Sequence, residues 1–138
     1  MSKIKFDIES IKLMTLFETI TRSHVKDMII REGTLIFIVM PGEIGKAIGK
    51  KAGNIKKLER ISKKKIRIIE YSDDLEKFAR NVIMPLKVNN IDIEGKIVTM
   101  TSPDSQTRGL IIGRAAVNLR NFESIVKRYF DIDEIKVV

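Results

Sequence analysis

The stretch IGKKAGNIKKLE, from Ile48 to Glu59, decides how this chain is interpreted. It consists almost entirely of lysine and aliphatic residues, interrupted by Gly49 and Gly53. Glycine adopts backbone angles that other residues avoid and leaves room for a close approach. The amides that open a helix are unpaired donors at the positive end of its dipole, where phosphates are favoured. The stretch therefore predicts either a phosphate-binding turn or a solvated loop before a helix.

A second copy of the pattern bears on this choice. GKAIGKKAGNIKKLERI (Gly45–Ile61) aligns with GLIIGRAAVNLRNFESI (Gly109–Ile125) at an offset of 64 residues. MIIREGTLIFIVMP (Met28–Pro41) aligns with NIDIEGKIVTMTSP (Asn90–Pro103) at an offset of 62. The chain therefore consists of two copies of one unit. The repeat favours the interpretation of the stretch as a phosphate-binding turn that occurs in both copies.

Charge is distributed unevenly between the two predicted domains, residues 1–72 and residues 73–138. The net charge is +8; the first domain holds 16 Lys/Arg against 8 Asp/Glu, and the second holds 10 against 10. Between Lys46 and Arg67 ten residues are basic and one is acidic. Such an excess favours a polyanionic partner, although a solvated lysine-rich surface is the alternative.

Composition excludes several classes of function. The chain has no cysteine and one histidine, which argues against a thiol site, a disulfide framework and a zinc site. No apolar run approaches the roughly 18 residues of a membrane span, and MSKIKFDIES is not a signal peptide. Nucleotide-binding, metalloprotease and serine-hydrolase motifs are absent. We expect a cytoplasmic, non-enzymatic protein without cofactor, metal or membrane partner.

Hydrophobic periodicity predicts a helix, a hairpin and two further helices in the first copy. Apolar residues recur at helical spacing from Ile8 to Ile20, with Asp7 as N-cap. The β-rich runs VKDMII and LIFIVM flank a turn and predict a hairpin. GKAI then forms a short helix, Ile55, Leu58 and Ile61 mark one face of a longer one, and KIRIIEY is a closing strand.

The second copy repeats this order, α-β-β-α-α-β. DDLEKFARNVI predicts a helix with Asp73 and Glu76 as a capping box. LKVNNIDI and KIVTMT form a hairpin, TRGLII a short helix, VNLRNFESIVKRYF a longer helix and EIKVV the last strand. Because domains of this size are marginally stable alone, we expect the two to pack rigidly together.

The order of elements and the paired stretches IGKKAGNIKKLE and IGRAAVNLRNFE resemble type II KH domains. Two such units in tandem resemble the archaeal NusA-like family of transcription factors. The resemblance implies an α+β fold with a three-stranded sheet and helices on one face of it in each domain. It also implies that a G-x-x-G loop clamps single-stranded RNA, with four bases in an adjacent groove.

The resemblance, together with the phosphate chemistry of the turn, assigns RNA binding to residues of both copies. In the first copy these are Gly45, Gly49, Lys50, Lys51, Ala52, Gly53, Asn54, Lys57 and Arg67. In the second they are Gly113, Arg114, Ala115, Ala116, Asn118 and Arg120. Both loops depart from G-x-x-G, because alanine stands at the fourth position and disfavours positive φ. With one cation in its loop, the second copy is the weaker candidate.

Several of these residues have a structural alternative. Gly45 and Gly109 either let an RNA backbone approach or allow helices to pack closely. Asn54 and its counterpart either cap a helix or bind a phosphate or base. Arg67 either reaches a base edge or is solvated. Four apolar residues could floor a base groove, although some must belong to the core: Ile44, Ala47, Ile48 and Ile55.

The aromatic residues argue against a base-stacking platform. The six phenylalanines, Phe6 among them, fall mostly on apolar faces, and none lies in the basic loop. The resemblance predicts a monomeric factor that modulates transcription elongation, termination or antitermination, touching RNA polymerase and nascent transcript. The alternatives are a KH protein of ribosome assembly or RNA turnover, and a KH-fold interaction module that has lost RNA binding.

Overall fold

The computed structural model describes residues 8–138 and divides them into two units, with the boundary between Ser72 and Asp73. Each unit contains one three-stranded sheet and has the element order α-β-β-α-α-β, so the α+β class is confirmed. Asp7, predicted as an N-cap, and Phe6 lie outside the described residues. No helix within residues 8–138 is both long enough and apolar enough to cross a membrane.

The first unit is built around a central strand. Its elements are α1 (Ile8–Thr21), β1 (Val25–Arg31), β2 (Thr34–Val39), α2 (Ile44–Ile48), α3 (Gly53–Ser62) and β3 (Lys65–Glu70). Strand β2 pairs antiparallel with β1 and parallel with β3. Parallel neighbours need a crossover connection, and α2 and α3 supply it. Both helices and the turn between them are therefore held next to the edge strand β3.

The second unit has the same topology. Its elements are α4 (Leu75–Ile83), β4 (Asn90–Glu94), β5 (Ile97–Thr101), α5 (Ser105–Ile112), α6 (Val117–Lys127) and β6 (Glu134–Val137). Strand β5 is central, antiparallel to β4 and parallel to β6. The largest differences from the predicted boundaries are that β4 begins at Asn90 and not at Leu86, and that α6 ends at Lys127 and not at Phe130.

The core of the first unit forms between α1 and one face of its sheet. Phe17 and Phe37 are fully buried and stack with ring centroids 4.1 Å apart. Leu58 of α3 joins the same cluster, and Ile55 packs against it. Ile61, predicted on the same face, is instead 50% exposed, because α3 ends one residue later and the chain turns with φ of 58° at Lys63.

The cap of α4 is one residue later than predicted. Asp74 has extended backbone angles, and its carboxylate accepts a hydrogen bond from the Lys77 amide at 3.1 Å. Since a capping residue directly precedes the first helical residue, Leu75, the predicted capping box of Asp73 and Glu76 is wrong.

The two hairpins correspond in a register that differs from the sequence alignment by one residue. Gly33 is the second residue of its two-residue turn, whereas Gly95 is the first. Leu35 therefore corresponds to Val98, and both are buried. A one-residue slip would move every side chain to the other face of the sheet. Burial of the apolar face, and not the position of the glycine in the turn, thus decides which hairpin residues correspond in the two units.

The cap of α5 predicts a dependence of stability on pH. The Thr107 amide donates to the Asp104 carboxylate at 2.6 Å, and this hydrogen bond holds the pKa of Asp104 below its usual value. Its stabilising effect is therefore complete above about pH 4, near the unfolded pKa, and is lost as pH falls through the folded pKa. We expect Asp104→Asn to lose less thermal stability than the wild type between roughly pH 5 and pH 2.

Circular dichroism melting at several pH values measures this effect. Asp104→Ala is the control, because it removes the cap and lowers Tm at neutral pH as well. An identical acid-induced loss of Tm in Asp104→Asn and in the wild type would contradict the assignment.

Candidate nucleic-acid interface

The turns between α2 and α3 and between α5 and α6 have the same backbone conformation. Gly49 has φ 78° and ψ 170°, and Gly113 has φ 74° and ψ 174°. The two residues before each following helix also have positive φ: Lys51 (52°), Ala52 (57°), Ala115 (53°) and Ala116 (60°). Alanine at the fourth position therefore does not alter the second loop. The two loops differ in side-chain chemistry and not in backbone shape.

The left-handed alanine at position 52 predicts a stabilising substitution. This conformation costs an L-residue roughly 1–2 kcal/mol, a cost that glycine avoids at some expense in unfolded-state entropy. We expect Ala52→Gly to raise the free energy of unfolding by about 1 kcal/mol in urea titrations.

The matched control is Ala47→Gly, in the buried face of α2. It lowers the free energy of unfolding by about 1 kcal/mol or more, since glycine is unfavourable inside a helix. A loss of stability in both variants would show that residue 52 is not strained.

Asn54 joins the two helices across the first loop. Its Nδ2 donates to the Lys46 carbonyl of α2 at 3.1 Å. A Cβ atom on Gly49 would lie 2.8 Å from that Nδ2 and 2.9 Å from Asn54 Cγ. The N-cap of α3 is Ala52, without a side-chain cap hydrogen bond, so the interpretation of Asn54 as a helix cap is wrong.

The second loop contains the same contact. Asn118 Nδ2 donates to the Leu110 carbonyl at 3.0 Å, and a Cβ on Gly113 would lie 2.7 Å from Asn118 Cγ. The first glycine of each loop thus makes room for an asparagine of the same chain, in addition to adopting positive φ. Space for a ligand is not what this glycine provides.

Gly45 and Gly109, unlike Gly49 and Gly113, have no neighbouring atoms in the space that a side chain would fill. A Cβ atom on either would meet no atom within 4 Å, and both residues are exposed. Close helix packing therefore does not explain them, and that alternative is wrong. They leave an open surface on the helix that precedes each loop.

The amides of the first loop are partly engaged within the loop. The Ala52 amide donates to the Gly49 carbonyl at 3.1 Å, and the Gly53 amide donates to the Lys50 carbonyl. These two amides are therefore not free donors, whereas the lysine side chains of the turn are exposed.

Exposed cations are denser around the first loop than around the second. Lys50 and Lys51 in the turn and Lys56 and Lys57 in α3 are all exposed. Their counterparts in the second unit are Arg114, Ala115, Arg120 and Asn121. Four cations at the first loop thus correspond to two at the second.

One lysine beside the first loop is held by a carboxylate. Lys46 Nζ lies 3.0 Å from Glu43 Oε2, and the His24 amide donates to Glu43 Oε1 at 3.3 Å. The hydrogen bond from Lys46, followed by that from His24, lowers the pKa of Glu43. Lys46 is therefore ion-paired at neutral pH, which distinguishes it from the lysines of the turn.

The apolar residues proposed as a groove floor belong largely to the core. Ala47 is fully buried, and Ile44 and Ile55 pack against the core cluster. Ile48 is half-buried.

Arg67 is half-buried in the middle of β3. Burial lowers the pKa of its guanidinium, although arginine remains charged in proteins. Its neighbours Ile66 and Ile68 face the core cluster, so strand alternation places Arg67 on the opposite face of the sheet. The structure therefore does not bring Arg67 to the loop, and full solvation is wrong for it.

A groove of about 380 Å³ lies between α6 and β6 in the second unit. It is lined by Ala116, Leu119, Arg120, Glu123 and residues 134–138. Of these, Ala116 and Arg120 were predicted site residues. Arg120 is 75% exposed, with its Nη1 3.9 Å from Glu123 Oε1.

The repeated glutamate was missed as a structural element of this region. Glu123 Oε2 accepts a hydrogen bond from the Ile135 amide at 2.9 Å, and Glu59 Oε2 accepts one from the Ile66 amide at 3.3 Å. In each unit the glutamate fastens the helix after the loop to the edge strand. Its recurrence in both copies of the motif was the signal available in the sequence.

Known proteins are similar to this chain in both sequence and fold. The KH domain family matches residues 13–73, a range that contains the whole first loop. A relative from Methanocaldococcus jannaschii, a probable transcription termination protein NusA, is 34% identical over 141 residues, which cover 100% of this chain and 77% of the relative. This chain belongs to the archaeal NusA-like family of KH proteins.

Other NusA-like relatives extend over nearly the whole chain. A probable transcription termination protein NusA from Methanococcus vannielii is 32% identical, covering 99% of this chain and 80% of the relative. One from Halococcus morrhuae is 27% identical, covering 93% and 94%. The crystal structure of APE1850 superposes with a TM-score of 0.77 at 26% identity, over 96% of this chain and 100% of that one. The NusA-like resemblance seen in the sequence is thus confirmed.

Proposed function

We propose that this NusA-like protein is a non-catalytic transcription factor that binds single-stranded RNA through two tandem type II KH domains, residues 1–72 and 73–138. The observation that carries the proposal is a basic loop of fixed shape. Lys50 and Lys51 project from a turn whose backbone is reproduced in the second unit. The match of the KH domain family to the first unit supports it.

The first domain supplies most of the attraction for RNA in this proposal. Lys50 and Lys51 bind phosphates, and Lys57 extends the cationic surface along α3. The RNA backbone approaches over the open surface at Gly45. Unstacked bases enter the region between α3 and the edge strand β3, as in KH domains generally. Gly49, Ala52, Gly53 and Asn54 shape the loop, and Arg67 is at most a distant contributor.

The second domain extends the RNA track. Arg114 offers a forked guanidinium to a phosphate at the position of Lys50. Gly113, Ala115, Ala116 and Asn118 form the loop backbone. Bases occupy the groove between α6 and β6, where Arg120 lies at the edge.

The cellular role is proposed from the relatives, which are probable transcription termination proteins. We place this protein in the cytoplasm, as a monomer, at RNA polymerase and its nascent transcript. There it modulates elongation, termination or antitermination. Co-purification with RNA polymerase supports this role, whereas co-purification with ribosomal particles supports ribosome assembly.

A second candidate function, protein binding, is favoured by one feature of the second loop. Leu110 and Val117 are 52% and 51% exposed beside it, where the first loop has Lys46 and Gly53. Crosslinking in cells with sequencing of the bound RNA tests both functions. Crosslinks to nascent transcripts support the RNA function, and their absence favours the interaction module.

A further inference from the structure

The turn of each KH-like unit is held in a strained conformation. Lys51 and Ala52 are consecutive non-glycine residues with φ of 52° and 57°. Such conformations cost free energy and persist only where the surrounding structure determines them from several sides. A contact that fixes the turn is therefore required.

We propose that Asn54 is the positioning residue of the phosphate-binding loop, a role that rests on the RNA function proposed above for the first loop. Its side chain lies against Gly49 at the start of the turn and donates to the Lys46 carbonyl near the end of α2. Last-turn carbonyls have no partner within their own helix, so this bond satisfies one of them. The two helix ends that flank Lys50 and Lys51 are thereby joined.

The independent repetition of this contact supports the assignment. The pair Gly113 and Asn118 reproduces the geometry around a turn with the same backbone angles, although the intervening side chains differ. The contact therefore occurs together with the backbone conformation of the turn, whichever charged residues the turn carries. In the first loop it holds two lysines in place, and in the second it holds one arginine.

Matched alanine variants separate positioning from stability. We expect Asn54→Ala to weaken binding of a mixed-sequence single-stranded RNA 12-mer by roughly 5–10-fold, since loss of preorganisation lowers affinity. The salt dependence of binding stays unchanged because no cation is removed. Asn118→Ala removes the same contact from the loop that carries one cation, so we expect it to lower Tm by a similar amount and to weaken binding by a smaller factor, about 2–3-fold.

Fluorescence anisotropy well below Tm measures the affinities. An Asn54→Ala variant that melts earlier but binds RNA as tightly as the wild type overturns the positioning role. If Asn54→Ala does not fold, Asn54→Leu replaces it, because leucine has a similar volume and no donor; unchanged affinity in that variant has the same meaning.

A double-mutant cycle tests the contact without RNA. Gly49→Ala alone meets Asn54 and adopts an unfavourable φ, so it lowers Tm strongly. In the Asn54→Ala background the contacts with Asn54 Cγ and Nδ2 are gone and only the backbone nitrogen of residue 54 remains close, at 3.2 Å, so Gly49→Ala costs a smaller decrease in Tm. Additive effects overturn the contact itself. If the wild type binds no RNA, the proposed function and the positioning role both fail, and the cycle shows whether the contact still shapes the turn.

Discussion

Replacing Lys50 and Lys51 together by aspartate is expected to weaken binding to single-stranded RNA by roughly 100-fold at about 0.1 M salt. Both side chains are exposed on a turn of fixed backbone, with Glu59 as the one acidic residue between Lys46 and Arg67. Each lysine that neutralises a phosphate releases a counterion, and single strands give a slope of about −0.7 per contact in log affinity against log salt. Losing two contacts reduces the slope by about 1.4.

The control changes the net charge by the same amount, at two lysines that are distant from the loop along the chain. Lys77→Asp with Lys87→Asp alters two exposed lysines of the second unit that were not assigned to RNA binding. We expect this pair to weaken binding by less than about 5-fold, through long-range electrostatics alone. Titrations by anisotropy at several salt concentrations give both affinity and slope. Equal losses in the two pairs would mean that net charge and not the loop attracts RNA.

Phe37→Ala is expected to lower the free energy of unfolding by about 3–5 kcal/mol, the usual range for truncating a buried phenylalanine. Phe37 is 1% exposed in the central strand β2, and its ring stacks on that of Phe17 at a centroid distance of 4.1 Å and an angle of 17°. Removing the ring leaves a cavity at the contact between α1 and the sheet. Because β2 is paired on both sides, the backbone has little freedom to fill it.

Urea titrations followed by circular dichroism measure this loss. Phe37→Leu keeps most of the volume and costs about 1–1.5 kcal/mol. Ile61→Ala, at a half-exposed position of the same unit, stays within about 0.5 kcal/mol of the wild type. A loss below about 1 kcal/mol in Phe37→Ala would show that the Phe17 contact is not the centre of this core.

Much of the secondary structure was predictable because the chain contains the same pattern twice, once in each unit. The β-rich runs VKDMII and LIFIVM and the helical spacing after Gly53 correspond to β1, β2 and α3. Individual residues were predicted wrongly where two neighbouring residues satisfied the same sequence rule. Asp73 and Asp74 are both competent caps, and the position of the first helical residue selects Asp74.

The candidate site was predictable in its location and less so in its internal roles. The loop glycines, the lysines and the asparagines are in the motif, and the exposed lysines lie where the motif places them. The sequence offered no indication that Gly49 and Asn54 contact each other, because five residues separate them and only the turn brings them together. Arg67 faces away from the loop because side chains alternate along β3, and Ile66 and Ile68 on either side of it face the core.

The sequence by itself determined the repeat, the order of the elements, the family and the basic first loop, because these follow from periodicity and from chemistry between near neighbours. Only the tertiary structure decided which hairpin residues correspond, what fills the space at the first loop glycine, and what the repeated glutamate does. Those outcomes depend on burial and on hydrogen bonds between elements. Glu123 illustrates the difference: its helix position is local information, whereas its bond to the Ile135 amide joins α6 to β6, two elements that only the fold brings together.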